Sequence, residues 1–374
     1  MKKQTATITF HASHNYGSML QAYALQQTLF RLGVENDIIN LRLPSQRAMY
    51  PHPSEHGAKG VKSRIKRVLL NCTIPKYEKQ IEQKYRLFED FLQDKLKLTS
   101  EIQSREEIKN LKKYDFYITG SDQCWNTDCH DFDWSYYLDF TDSPNKIAYA
   151  ASLGPNSSNK KTRTMAKKIK EFKAISVREK DTANVIETLT GNVPVILPDP
   201  TLLLECNEWM SLVGNEPIFK GQYIFMYMPY FLPDTYEIAS GLSKELKIPL
   251  VISNISTGII DIIHSLKNTT YLLNTGPIEF LNLIANAESV ISGSFHALVF
   301  SILFHTPFWA VNGDKDNRMK QLLDTYGFSD RTIHLCDAKE KYKVNNNINF
   351  FQFETAINNE RTKAINFLRT NLNI

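Results

Sequence analysis

Cysteine is scarce in this chain: Cys72, Cys124, Cys129, Cys206 and Cys336 are odd in number and contain no CxxC pair. That argues against a disulfide framework and a four-cysteine zinc site, and it fits reduced thiols in a cytoplasmic setting. Glycine and proline number 15 each in 374 residues, too few for a collagen-like or low-complexity chain. A dominant charge sign is also missing. The 44 Lys and Arg against 40 Asp and Glu leave a formal +4, much less lopsided than a domain that tracks phosphates, so no nucleic-acid partner is expected. Residues 1 to 30 carry no secretory pattern, because the polar Gln4 and Thr5 follow Lys2 and Lys3 directly. The most apolar window, 290–311, is interrupted by Ser292, Ser294, His296, Ser301, His305 and Pro307. It reads as a buried strand, helix and strand rather than a bilayer span.

A hydrophobic content of 42% places the chain among globular proteins, and at about 150 residues per domain its length suggests two domains. Strand patterns at 5–10, 37–41, 114–119, 146–152, 174–177 and 193–197 alternate with helical ones. The first helical run (Met19, Leu20, Tyr23, Ala24, Gln27) stops at Gly33. After Asp199-Pro200 the pattern restarts, with strands expected at 223–228, 250–253, 290–292 and 308–311. Helices are expected from Pro277, from Asp316 to Gly327, and over 351–372. The fold class expected is α/β: two Rossmann-like domains facing a cleft, GT-B-like, with ligands at the carboxyl ends of the strands. The divisions are 1–205 (acceptor side, with a basic helical insertion at about 57–97), 206–350 (donor side) and 351–374 (a terminal helix packing back across the domains).

Three polar loops share one geometry, each leaving a strand and opening toward a helix. In the first, Asn15, Tyr16, Gly17 and Ser18 could cradle an anion or a sugar hydroxyl through N–H groups at the helix start; equally, Asn15 and Ser18 could simply cap the helix while Gly17 permits the turn. In the second, Ser121, Asp122 and Gln123 follow Gly120. Asp122 suits proton acceptance from a substrate hydroxyl or, alternatively, an Asx-turn. Trp125 and Asn126 just beyond offer an aromatic face and an amide, suited to a sugar ring or to packing. The third loop carries Ser294, Phe295 and His296, and an imidazole in a first helical turn can take or return a proton; a buried structural histidine is the alternative.

Arg178 at a strand end and Arg318 at a helix start could each fork onto a carboxylate or phosphate, or form ordinary salt bridges. Asp199 before Pro200 reads as a turn residue. Between Glu55 and Glu78, Lys59, Lys62, Arg64, Lys66, Arg67 and Lys76 occur with no acid. With Val61, Ile65, Val68 and Leu69 at helical spacing, the segment reads as an amphipathic helix with a basic face. It is either a solvated face or one that meets an anionic membrane or the pyrophosphate of a lipid-linked substrate.

Taken in order, these blocks resemble the polysaccharide pyruvyl transferase family. The matching text is HNYGSMLQAYAL at 14–25, ITGSDQCWN at 118–126, YAASLG at 149–154, SVREK at 176–180, DPTLLL at 199–204, SFHA at 294–297, and Arg318 before Leu322-Leu323. The resemblance implies a two-domain GT-B-like fold, phosphoenolpyruvate as donor, and a pyruvate ketal on a bacterial surface sugar as product, with neither a cofactor nor a metal implied. His296 would act as general acid or base and Asp122 as its complement on the acceptor hydroxyl. Arg178, Ser294, Phe295, His296 and Arg318 would form the donor site. Asn15, Tyr16, Gly17, Ser18, Ser121, Gln123, Trp125 and Asn126 would line the acceptor side. The departures are His14 where many members have Gly, Ala297 where Gly is usual, and Ser294 where one branch carries Arg. That last change shifts anion binding onto Arg178 and Arg318. The expected partners are phosphoenolpyruvate and a sugar acceptor, lipid-pyrophosphate-linked or polymeric, with a cytoplasmic protein in peripheral contact with the inner membrane if the basic segment serves that purpose. A sugar-nucleotide glycosyltransferase would share the fold, and a non-catalytic glycan-assembly protein could retain it.

Overall fold

Strand β1 (Gln4–Ile8) is buried over all but its first residue, as a strand covered on both faces must be, and it is an inner strand of a parallel sheet. The computed structural model describes residues 2–52, 77–155, 161–230, 232–254, 268–335 and 348–374. The basic run from Lys59 to Lys76 singled out above lies outside the described residues. The first sheet comprises β1, β2 (Glu35–Ile38), β3 (Phe116–Thr119), β4 (Lys146–Ala151), β5 (Ala174–Val177) and β6 (Val195–Ile196). Its order is β2-β1-β3-β4-β5-β6 and every pairing is parallel. The order reverses between β1 and β3, the switch point at which open α/β sheets place ligands.

Side chains that alternate along these strands feed two cores, as a period of two requires. One gathers Ala6, Ile8, Tyr117, Ala148 and Trp125. The other joins Ile118 and Tyr149 to Leu25 and Leu29 of helix α1 (Tyr16–Arg31) and to Ala364, Leu368 and Leu372 near the chain end.

The second sheet contains β7 (Ile224–Tyr227), β8 (Leu250–Ile252), β9 (Thr269–Tyr271), β10 (Ser289–Ser292), β11 (Phe308–Val311) and β12 (Thr332–Ile333). Its order, β12-β11-β10-β7-β8-β9, is again wholly parallel and switches between β7 and β10. The edge strands β9 and β12 escape sequence reading because two or three residues carry no usable period. The 290–311 window forms β10, a buried helix and β11 as expected.

The chain divides into two compact units: Met1–Tyr50 with Asp90–Glu205 and Glu354–Ile374, and Pro51–Glu89 with Cys206–Phe353. Two assignments differ from the sequence reading. The segment Pro51–Glu89 belongs to the second unit, whereas the insertion read at about 57–97 was placed wholly in the first domain. Helix α2 (Glu78–Lys95) explains this: Gln80 Oε1 accepts from the Leu273 N–H at 2.9 Å, and Lys84 Nζ donates to the Ser253 carbonyl at 3.3 Å. The terminal helix (Phe351–Leu372) belongs to the first unit from Glu354 onward, where Arg361 donates to the carbonyls of Leu202 and Leu204 at 2.8 and 2.9 Å.

Candidate functional site

In the first unit the two loops at the switch point are laced together. Ser18 Oγ, in the first turn of α1, donates to Asp122 Oδ2 at 2.5 Å, the short distance of a hydroxyl on a carboxylate. Gln21 Nε2 donates to Thr9 Oγ1 at 2.8 Å, while its Oε1 accepts from Ser121 N at 3.0 Å. Asp122 adopts φ +61°, a left-handed conformation that aspartate tolerates, and its carbonyl accepts from Ser152 N at 3.1 Å. The preceding peptide bond, Gly120–Ser121, is cis. Gly120 sits at φ +111°, where an added Cβ would lie 2.1 Å from the Tyr149 carbonyl oxygen. Only glycine fits there. The result is a buried carboxylate with one oxygen oriented by Ser18 at the carboxyl end of β3, an arrangement able to accept a hydroxyl proton.

Asn15 caps α1, its side chain accepting from Ser18 N at 3.3 Å. Tyr16 and Gly17 are buried within that first turn, so Gly17 serves the helix rather than a turn. Ser121 is fully buried, donating to Ala150 O at 2.8 Å. Gln123 Oε1 accepts from Asn126 Nδ2 at 3.3 Å, and Asn126 Oδ1 accepts from Asp128 N at 3.0 Å. Trp125 corrects the sequence reading. It is fully buried, stacked on Tyr137 with ring centroids 5.2 Å apart, and donates its indole N–H to Tyr136 O; it presents no face to a sugar.

Arg178 lies in the same unit. The side chain is buried, with Nη1 2.7 Å from Asp199 Oδ2, Nε 3.4 Å from Glu179 Oε2 and Nη2 4.0 Å from Asp122 Oδ1. Burial would lower its pKa, but the carboxylates of Asp199, Glu179 and Asp122 outweigh that and hold it above the usual arginine value. Asp199 and Glu179 hold this guanidinium, and Asp122 lies at the edge of ion-pair distance, so it stands at the centre of a buried carboxylate cluster. Asp199 is thus more than a turn residue: besides capping the turn at Thr201, it receives Arg178.

In the second unit, helix α3 (Phe295–Leu303) starts at Ser294, whose side chain accepts from Ala297 N at 3.5 Å. Ser292 Oγ accepts from Ser294 N at 3.1 Å and donates to Tyr227 O, tying the ends of β7 and β10 together at that sheet's switch point. His296 lies buried in the first turn of α3, edge-on to Phe295 at 5.1 Å. Arg318, in helix α4 (Asn317–Tyr326), is bidentate on Asp316, with Nε–Oδ1 at 3.0 Å and Nη2–Oδ2 at 2.6 Å. Asp316 is also the N-cap of α4, so this arginine's fork is engaged on its own helix start. Asp122 and Arg178 therefore belong to one unit, His296 and Arg318 to the other.

The model of the family described as polysaccharide pyruvyl transferase matches residues 15–315. The chain belongs to the polysaccharide pyruvyl transferase family. That span takes in both switch-point loops, from Asn15 through Asp122 to His296. None of the curated proteins matches the chain significantly. Among solved structures it is similar to the UDP-N-acetylglucosamine 2-epimerase of Rickettsia bellii, with TM-score 0.54, 8% identity, and 100% of this chain and 97% of that one covered. It is similar to the S. aureus MnaA–UDP co-structure, with TM-score 0.57, 11% identity and coverage of 100% and 97%. An alpha-glucosyltransferase in complex with UDP and a DNA 13-mer gives TM-score 0.52, 9% identity and coverage of 99% and 95%. These likenesses show the fold: two parallel-sheet α/β domains of the GT-B type.

Within this pyruvyl transferase family member, sequence reading missed Thr9, Gln21 and Glu179 as parts of the Asp122 surroundings. Gln21 lies one turn after Ser18 on the same face of α1, a signal that was available. Glu179, directly after Arg178, accepts from Ser152 Oγ at 2.6 Å and from Thr182 Oγ1, partners that no local pattern indicates. Among the described residues no helix is long and apolar enough to cross a membrane.

Proposed function

We propose that this protein transfers a pyruvyl group from phosphoenolpyruvate to two hydroxyls of a surface-polysaccharide sugar, forming a cyclic ketal and releasing phosphate. The family match over residues 15–315 carries this reading. The methylene carbon of the donor gains a proton, one sugar hydroxyl adds to the resulting cation, phosphate leaves, and a second hydroxyl closes the ketal. Of the two hydroxyl protons, one is balanced by the new methyl group and the other leaves with phosphate. His296 supplies or takes the proton at the donor. Asp122, oriented by Ser18, accepts it from the attacking hydroxyl. Because Arg178 and Arg318 are each engaged by carboxylates, donor anions are assigned chiefly to the N–H groups around Ser294 at the start of α3, with Arg178 as a positioning residue for Asp122. A lipid-pyrophosphate-linked acceptor, met at the cytoplasmic membrane face, is the form that suits the six basic residues between Lys59 and Lys76.

The test is incubation with phosphoenolpyruvate and galactose-, glucose-, mannose- and N-acetylmannosamine-terminated acceptors, lipid-pyrophosphate-linked ones included, following phosphate release and product mass. A product heavier by one pyruvate ketal, lost in His296→Ala and Asp122→Asn, is the expected result. Thermal stabilisation by a nucleoside diphosphate but not by phosphoenolpyruvate, with no phosphate released, would replace the reading by a sugar-nucleotide glycosyltransferase.

A further inference from the structure

A proton acceptor works over a narrow range of positions, so the backbone that carries Asp122 has to be held. Its connection to β3 offers little hold. Gly120 is required there by the 2.1 Å approach that a Cβ would make to the Tyr149 carbonyl oxygen, yet glycine is the residue with the most backbone freedom. The restraint comes from Ser121, whose three polar groups are each anchored to a different part of the first unit. Its N–H donates to Gln21 Oε1 at 3.0 Å on α1, and its carbonyl accepts from Thr9 Oγ1 at 3.3 Å just after β1. Its hydroxyl donates to the Ala150 carbonyl at 2.8 Å on β4. We propose that Thr9 and Gln21 are positioning residues for pyruvyl transfer, a clamp on Ser121 that sets where the Asp122 carboxylate stands. The role rests on the reading of Asp122 given above.

The clamp has a single orientation. The Ser121 N–H can only donate, so the Gln21 carboxamide turns its oxygen toward it, and the amide nitrogen donates to Thr9 Oγ1 at 2.8 Å and to the Ser18 carbonyl at 2.9 Å. With its oxygen receiving Gln21, Thr9 has its own proton left for the Ser121 carbonyl. Thr9, Gln21 and Ser121 thus close a ring of three hydrogen bonds. Gln21 and Ser121 are fully buried and Thr9 almost so, which means that water cannot replace a bond that is lost.

Gln21 also lies one turn after Ser18, whose hydroxyl donates to Asp122 Oδ2 at 2.5 Å. One stretch of α1 therefore holds the carboxylate through Ser18 and the residue before it through Gln21. Two points of attachment fix direction as well as place. Apolar packing would join α1 to β1 with less desolvation; a carboxamide with all its hydrogen-bonding groups engaged serves instead to fix one residue beside the proton acceptor.

The test compares Gln21→Met, Thr9→Val and Thr9→Ser in the full chain. Amide hydrogen exchange over 118–126, measured without substrate, should speed up about tenfold in Gln21→Met and severalfold in Thr9→Val, which loses the longer bond, and return toward wild type in Thr9→Ser. In pyruvyl transfer, kcat should fall at least about tenfold in Gln21→Met and severalfold in Thr9→Val, most of the latter being recovered in Thr9→Ser. The KM for phosphoenolpyruvate should stay within about twofold, since the N–H groups assigned to the donor belong to the other unit. Gly33→Ala, a strained substitution remote from this network, should keep the wild-type kcat. Wild-type kcat in folded Gln21→Met and Thr9→Val overturns the proposal, and so does an equal loss in Gly33→Ala or no recovery in Thr9→Ser. Should Gln21→Met fail to fold, the two Thr9 variants decide. If exchange responds as expected while wild type releases no phosphate with any acceptor, the clamp stands and the transferase reading falls; if wild type transfers pyruvate and neither exchange nor kcat moves in the variants, the clamp falls and the transferase stands.

Discussion

Replacing Arg178 by methionine would remove the cation around which Asp199, Glu179 and Asp122 are arranged while roughly keeping side-chain volume. All four side chains are nearly inaccessible, so solvent cannot substitute for the lost guanidinium. Breaking a buried pair by deleting one partner costs about 3–5 kcal/mol, because the remaining carboxylates stay desolvated and repel one another. With a urea m-value of about 2 kcal/mol/M, the transition of the first unit should move down by about 2 M. Asp199 has the shortest contact, 2.7 Å, so Arg178→Met combined with Asp199→Asn should recover about 1–2 kcal/mol rather than add a further loss. Urea titrations followed by tryptophan fluorescence would measure all three proteins, with pyruvyl transfer assayed in parallel. Arg178→Met folding within about 1 kcal/mol of wild type while activity disappears would refute the reasoning, since such a guanidinium would serve a ligand and not the carboxylate cluster.

Two further outcomes follow from local geometry. Gly120→Ala should lose at least about 3 kcal/mol or fail to give soluble protein, because the new Cβ would meet backbone 2.1 Å away. Gly33→Ala, with φ +77° and open space around it, should cost only about 1 kcal/mol; equal losses in the two would show that φ alone is responsible. Asp37 is raised by burial, but hydrogen bonds from Lys112, Lys97 and Tyr114 overcome this and hold it below its usual 3.8. A depressed carboxylate contributes its stability above the unfolded value and loses it as pH falls through the folded one. Acid titration of Asp37→Asn should therefore show lower stability at neutral pH and a shallower further loss below about pH 4; parallel curves for variant and wild type would exclude that role.

The architecture was largely legible because it depends on local repetition. Apolar runs of strand length separated by helical periods require a buried parallel sheet wherever they occur, and β1, β3, β4, β5, β10 and β11 lie close to where the pattern puts them. Glycine at 33 and 327 likewise marks helix ends by its backbone alone. The loops around Ser18, Asp122 and His296 were legible as polar connections that leave a strand, because short polar residues interrupt the apolar pattern there.

What the chain order could not determine were partners distant in sequence. The bond from Ser18 to Asp122 spans 104 positions and that from Arg178 to Asp199 spans 21. An arginine at a strand end looks the same whether three carboxylates or open water surround it. Trp125 looked like a sugar platform because it follows a polar loop, but Tyr137, twelve residues on, covers its face. The sequence by itself determined the elements, the two parallel sheets and the loops that could carry chemistry, since those follow from periodicity and backbone preference. Only the tertiary structure decided which charges are neutralised inside the protein and which side chains are sealed in its cores, because burial and pairing depend on segments far apart in the chain.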